Sequence, residues 1–217
     1  MNDTQPLKNK ISSYIIQTHE EEIKRIAMEL HEGVGQSLYS LFTGMQLFEK
    51  TIEQPAMKSY AGDMNQLLEK TIREIRLLAV ELHPPTLTTL GLMSAMKSYI
   101  KLYTSTYGIE VEIENLGIES QISDRDNITL FRVCQEALMN IARYADTTKA
   151  SMIFIWEKSR LMIMIKDSGK GFEVESAMNK LSGLAAMSER MHLIGGNCTV
   201  FSKIDDGTSI EISLPLY

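Results

Sequence analysis

Only two cysteines occur in the 217 residues, Cys134 and Cys198, far apart and in no C-x-x-C or Cys/His cluster. A disulfide scaffold and a zinc site are thereby excluded, and two reduced, buried thiols are expected. No apolar run approaches the roughly eighteen residues of a membrane span. The N-terminus lacks the charged start and apolar middle of a signal peptide. The chain as it stands is therefore expected to be cytoplasmic, with no span and no room for a sensing domain of its own; a membrane-bound sensor portion would lie outside it. Positive charge is also short, with 22 Lys and Arg against 28 Asp and Glu, a net charge of −6 and a pI near 5.3. A net acidic surface repels phosphate backbones and anionic lipids, so neither nucleic acid nor a membrane surface is an expected partner. Internal repeats and low-complexity tracts are absent.

What is present is an ordinary globular composition, 44% hydrophobic, enough for one medium domain and a smaller element. Ile23, Ile26, Leu30, Val34, Leu38, Leu41, Met45 and Phe48 recur at steps of three and four, the stripe of a long amphipathic helix. A turn is expected around Gln54-Pro55. A second stripe, through Met57, Tyr60, Ala61, Met64, Leu67, Thr71, Ile75, Leu78 and Leu82, stops where Pro84 and Pro85 follow His83. Two helices cannot enclose a core, so a homodimer forming a four-helix bundle is the economical solution. From residue 87 the pattern alternates: helices near 87–106, 124–145 and 183–194, and strands near 109–115, 149–157, 160–166, 197–204 and 208–214. The expected class is α+β, a two-helix hairpin followed by an α/β sandwich. The segments are 1–20 as a linker, 21–85 as the hairpin and 86–217 as the sandwich domain.

Five segments carry chemistry. ELHEGVGQ (29–36) places His31 about 80° from the stripe centre, with Glu32 and Gln36 further round on the polar side. A neutral imidazole is nucleophilic at nitrogen, and a neighbouring carboxylate can take its proton. Glu32 is the candidate base, and Gln36 could orient a water. In QEALMNIARYA (135–145), Glu136 and Asn140 are spaced i,i+4 with Arg143 a turn beyond. Carboxylate and amide oxygens suit Mg²⁺, while Arg143 suits phosphate. DSGKGF (167–172) follows an apolar strand; its glycines permit close approach of a ligand, and Asp167 can accept from an exocyclic amino group. SGLAAMSERM (182–191) opens a helix whose amides could meet phosphate oxygens. DDGT (205–208) is a tight turn that sets Thr208 at the start of the last strand. Taken singly, a surface histidine, a solvated helix face, a strand-ending turn, a helix cap and a hairpin explain all five. His19, His83 and His192 are expected to be structural or surface residues, and the fourteen methionines core filler.

Order decides between these readings. ELHEGVGQ, LHPPTLTTLGL (82–92), QEALMNIARYA, DSGKGF, SGLAAMSERM and DGTSIEISLP (206–215) follow one another as in sensor histidine kinases. From about residue 20 to its end the chain closely resembles the subfamily that senses nitrate or membrane fluidity. The resemblance implies a dimerisation and phosphoacceptor hairpin, followed by the ATP-binding fold shared with gyrase and Hsp90. It makes His31 the phosphoacceptor, Glu32 its assistant in phosphotransfer, and Gln36 the support for dephosphorylating a response-regulator partner. It makes Asn140 the Mg²⁺ ligand, Glu136 the activator of a metal-bound water, and Asp167 the adenine contact. Gly169, Gly171, Gly183 and Leu184 would line the ATP, Thr208 would sit beside Asp167, and Glu173 to Leu181 would form a short lid. Two positions depart from the pattern: Tyr144 stands where the family usually has His, and Ala186 where it often has Gly. The implied activity is ATP-dependent autophosphorylation and transfer to a response-regulator aspartate, with phosphatase action toward that regulator as a further implied activity. The alternatives are a degenerate kinase serving as a dimeric regulator-binding module, and another ATPase of the same fold.

Overall fold

The computed structural model describes residue 18 and residues 21–84, 86–175 and 183–216. The expected linker, apart from residue 18, lies outside the described residues, as do His19 and residues 176–181 of the expected lid. The chain divides between Pro84 and Pro85 into two compact units.

The first unit is a helical hairpin. Helix α1 comprises residues 21–28, a π-wound stretch Glu29–Val34, and Gly35–Thr51. The repeat of apolar residues is helical throughout, but the hydrogen bonding slips at the centre, where the Gly35 N–H reaches back to the Leu30 carbonyl. Gly35 tolerates this because a Cβ there would stand only 3.2 Å from that carbonyl oxygen. Pro55 opens α2 (Pro55–Leu82), where its missing N–H costs no hydrogen bond. The two helices run antiparallel: near the turn Asn65 Nδ2 donates to Glu49 Oε2 at 2.5 Å, and further along Arg76 lies over the Tyr39 ring at 5.7 Å. Ala27, Ala61, Ile72, Leu77, Ala79 and Val80 are buried.

Much of the predicted stripe is nevertheless open. Val34, Leu41 and Phe48 on α1, and Met57, Tyr60, Leu67 and Leu78 on α2, are all more than 40% exposed. The hairpin thus carries two apolar faces. One is used between its own helices, and the other is left uncovered in the single chain.

The second unit is a five-stranded sheet in the order β1-β2-β3-β5-β4, formed by β1 (Glu110–Leu116), β2 (Lys149–Trp156), β3 (Arg160–Asp167), β4 (Asn197–Ser202) and β5 (Thr208–Pro215). β1 and β2 pair in parallel and all other pairs are antiparallel. Parallel pairing needs a crossover, which α4 (Asp124–Asn140) supplies. Its N-cap, Ser123, accepts from the Asp126 N–H at 3.1 Å, and Asp124 and Asp126 suit the positive end of the helix. Two more helices, α3 (Leu87–Tyr107) and α5 (Gly183–Leu193), belong to the unit.

Strand alternation sends Met152, Phe154, Leu161, Ile163, Ile165, Ile210 and Ile212 to one buried face, against Tyr99, Tyr103, Leu130, Phe131 and Leu138. Tyr99 meets Phe131 edge-on at 5.7 Å. The buried Tyr103 hydroxyl donates to the Leu138 carbonyl at 2.8 Å. Met93, Met96, Met152, Met187 and Met191 are core residues, whereas Met28 and Met57 are exposed on the hairpin.

Two of the expected helices are less regular than the sequence pattern suggests. α3 is broken at Gly91, with φ +78°, so its first turn is separate from the rest. The helix expected over 124–145 is α-wound only to Asn140; Ile141–Ala145 is a π-turn closed by Asp146 in the left-handed region, φ +55°.

Candidate functional site

A cavity of about 520 Å³ opens in the second unit. Glu136, Asn140 and Arg143 border it on the α4 side, Asp167 and Gly171 at the end of β3, Gly183 and Leu184 at the start of α5, and Thr208 at the start of β5. Eight of the twelve candidate residues are thus gathered on one cavity. Gly169 does not line it; it packs against Ala145, where a Cβ would run into the Ala145 carbonyl. His31, Glu32 and Gln36 belong to the hairpin and are exposed there, His31 and Glu32 within the π-wound stretch.

Period-two alternation explains the floor of the cavity. Leu161, Ile163 and Ile165 point into the core, so Asp167 must point the same way. The register pairs Asp167 with Thr208, which shares its face with Ile210. Asp167 is 4% exposed. Its Oδ1 accepts from the Gly169 N–H at 2.8 Å. Burial raises its pKa above the ordinary carboxylate range, opposed by the backbone N–H groups of Gly169 and Thr208.

The DSGKGF loop is held at several points. Lys170 N–H donates to the Ala145 carbonyl at 2.8 Å and the Lys170 carbonyl accepts from Asp205 N–H at 2.8 Å. Phe172 N–H donates to Ser202 Oγ at 3.0 Å, and the Ser202 hydroxyl is 3.0 Å from Thr208 Oγ1. Gly171, at φ +57°, lies so close to the Lys203 carbonyl that no side chain fits.

On α4 the i,i+4 spacing brings Glu136 and Asn140 to the cavity, and the π-turn beyond them lets Arg143, Tyr144 and Ala145 all border it. Asn140 Nδ2 is buried with no hydrogen-bond partner among the described residues. An orphaned amide beside a carboxylate is the kind of donor set that a bound anion and an oxygen-seeking cation would complete. Gly183 stands directly against Glu136, where a Cβ would overlap the carboxylate. Glycine at this point lets the start of α5 come down onto α4. The residues present therefore fit a phosphate ester with a hard divalent cation. No preformed cluster of three or more His, Cys, Asp or Glu that could hold a metal occurs among the described residues.

The sequence reading assigned no role to Lys170, Phe172, Ile141, Ala145 or Ile210, all of which line the cavity. Lys170 lies within DSGKGF, and Ile210 follows Thr208 by the strand period. Nothing in the sequence signals that the Ala145 carbonyl anchors the loop. Burial pushes the Cys198 thiol up to about 11, and it raises Cys134 further, so both cysteines are inert packing groups.

Residues 22–87 match the histidine kinase family, and residues 125–217 match the histidine kinase-, DNA gyrase B- and HSP90-like ATPase family. The chain is 29% identical over 213 residues to the signal transduction histidine-protein kinase/phosphatase DegS of Brevibacillus brevis, covering 96% of this chain and 55% of that protein. It is 28% identical over 210 residues to the oxygen sensor histidine kinase NreB of Staphylococcus carnosus (strain TM300), covering 96% and 60%. The chain therefore spans between half and two thirds of the length of these relatives. The histidine kinase domain of the Erythrobacter litoralis EL346 blue-light activated histidine kinase shares the fold, with a TM-score of 0.51 at 12% identity, over 82% of this chain and 96% of that one. Among the described residues no helix is long and apolar enough to cross a membrane.

Proposed function

Because the chain belongs to the two-component sensor histidine kinases, with the phosphoacceptor-type hairpin followed by the ATPase-type domain, we propose that it is the catalytic core of such a kinase. In this reading residues 21–85 dimerise and carry His31, and residues 86–217 bind ATP. The bond between the γ-phosphorus and the bridging oxygen of ATP breaks, ADP leaves, and a bond forms from the His31 imidazole nitrogen to phosphorus. Glu32, next in the chain, takes the imidazole proton. The phosphoryl group then passes to an aspartate carboxylate of a response regulator, freeing His31. Gln36 orients water when the protein acts instead as a phosphatase toward that regulator.

The observation that carries this reading is the convergence of Glu136, Asn140, Arg143, Asp167, Gly171, Gly183, Leu184 and Thr208 on one cavity. Asp167 accepts from the adenine amino group, with Thr208 beside it and Leu184 against the base. Gly169 and Gly171 let the loop backbone approach, and Gly183 does the same at the start of α5. Arg143 meets phosphate. Asn140 would hold Mg²⁺ through its amide oxygen, with Glu136 near its water shell. Bound there, the cation supplies neutralisation of phosphate charge.

The dimer is supported by the uncovered side of the hairpin, where Val34, Leu41 and Phe48 recur every seven residues and Tyr60 and Leu67 do the same. A cytoplasmic setting fits both the nucleotide and the free state of the two cysteines. The test is incubation with γ-labelled ATP and Mg²⁺ beside His31→Gln. Label on the wild type alone, stable in alkali and lost in acid, is expected. Binding of ATP without label would turn the reading to a dimeric regulator-binding module.

A further inference from the structure

Lys170 is a charged residue of the cavity wall with no part in the reading above. Its neighbours Gly169 and Gly171 have no room for a side chain, because a Cβ would strike the Ala145 and Lys203 carbonyls. Its own backbone is tied at both ends, to Ala145 and to Asp205, each at 2.8 Å. The loop therefore fixes the Lys170 Cα at the cavity wall. The side chain is exposed, and among the described residues it makes no ion pair.

Charge bookkeeping gives this cation a purpose. Among the described residues the cavity is lined by two carboxylates, Glu136 and Asp167, and two cations, Arg143 and Lys170. The Asp167 carboxylate is already engaged by the backbone N–H groups of Gly169 and Thr208. In the ATP reading Glu136 lies at the phosphate end, a turn from Asn140, where a carboxylate repels an anion. A triphosphate with its divalent cation remains negative, and among the described lining residues Arg143 is the one other cation that could offset both it and Glu136. A strongly hydrated ammonium on a flexible stem, rooted in a fixed backbone, acts as a point charge toward phosphate.

Resting on the ATP reading, we infer that Lys170 is a phosphate-binding residue that discriminates nucleotides from the bare nucleoside. The test is titration calorimetry of the full chain with adenosine, AMP, ADP and ATP, each with Mg²⁺, for the wild type, Lys170→Met and Lys170→Arg. Lys170→Met is expected to weaken ATP about tenfold and to leave adenosine within about twofold. Lys170→Arg is expected to restore most of the ATP affinity. The wild type should lose ATP affinity with added salt more steeply than Lys170→Met. Equal weakening of adenosine and ATP, or unchanged ATP binding by Lys170→Met, overturns the inference alone. A wild type that binds none of the four overturns the ATP reading and the inference with it.

Discussion

Asp167 is asked to do two opposed things. As a 4% exposed carboxylate it is disfavoured in its charged form, and its pKa is accordingly raised by burial. As the proposed adenine acceptor it must be charged, or at least present a free lone pair. For stability, a carboxyl raised above its unfolded value contributes most below the ordinary Asp range, and that contribution is lost as pH rises through the folded pKa. For binding the sign is reversed, because protonation removes an acceptor from the adenine amino group. ATP affinity is therefore expected to decline on acidification, beginning above the range of an ordinary aspartate. Asp167→Asn should weaken ATP by about tenfold or more while leaving the melting temperature at pH 7 unchanged or slightly raised. Calorimetric binding between pH 5 and 8 with parallel thermal melts checks both. A fall in melting temperature large enough to explain the lost binding would mean that the residue is structural.

At the scale of elements, both π-wound stretches of the described residues coincide with proposed site residues. Single π-turns break the α register and are often found at functional sites. Ile141–Ala145 brings Arg143, Tyr144 and Ala145 together to the cavity edge, which a regular helix, at about 100° per residue, spreads around its axis. Glu29–Val34 contains His31 and Glu32. Reverting that stretch to α register would turn His31 by about 100° relative to the rest of α1. Gly35→Ala adds a Cβ 3.2 Å from the Leu30 carbonyl oxygen and favours the α-helix by about 1 kcal/mol. The variant is expected to label His31 several-fold more slowly with unchanged ATP affinity, as measured by initial rates of label incorporation. An unchanged rate would show that the π-turn is incidental. Near the hairpin turn the buried Asn65 amide donates to Glu49, while its own oxygen has no partner among the described residues. A polar contact of this kind holds the register of two packed helices at some cost in stability.

For the whole molecule, the hairpin sets the constraint. An exposed apolar face repeating every seven residues along two helices calls for a second copy, since isolated pairs of helices leave such faces in water. Sedimentation of the wild type should show a dimer at micromolar concentration. Leu41→Glu combined with Leu67→Glu, both more than half exposed in the single chain, should shift it to monomer while ATP binding by the second unit persists. A dimer that survives both charges would remove the open face as its basis.

Hydropathy periods were sufficient to find the hairpin, the order of the helices and strands, and the inward side of β3. Likewise, i,i+4 spacing was enough to put Glu136 beside Asn140. These are properties of local backbone geometry, and the sequence by itself determined them. The sequence pattern ends the strand near 166 and leaves Asp167 in the loop beyond it; because β3 runs on to Asp167, that residue shares the inward face of Ile165 and is buried. Only the tertiary structure decided that segments as distant as 136–145, 167–172, 183–184 and 208–210 share one cavity. It alone revealed that the Ala145 carbonyl anchors the loop bearing Lys170, and that two helices slip into π register. Close backbone approach depends on which carbonyl lies opposite which glycine. That is fixed by the packing of elements remote in sequence, and no local pattern encodes it.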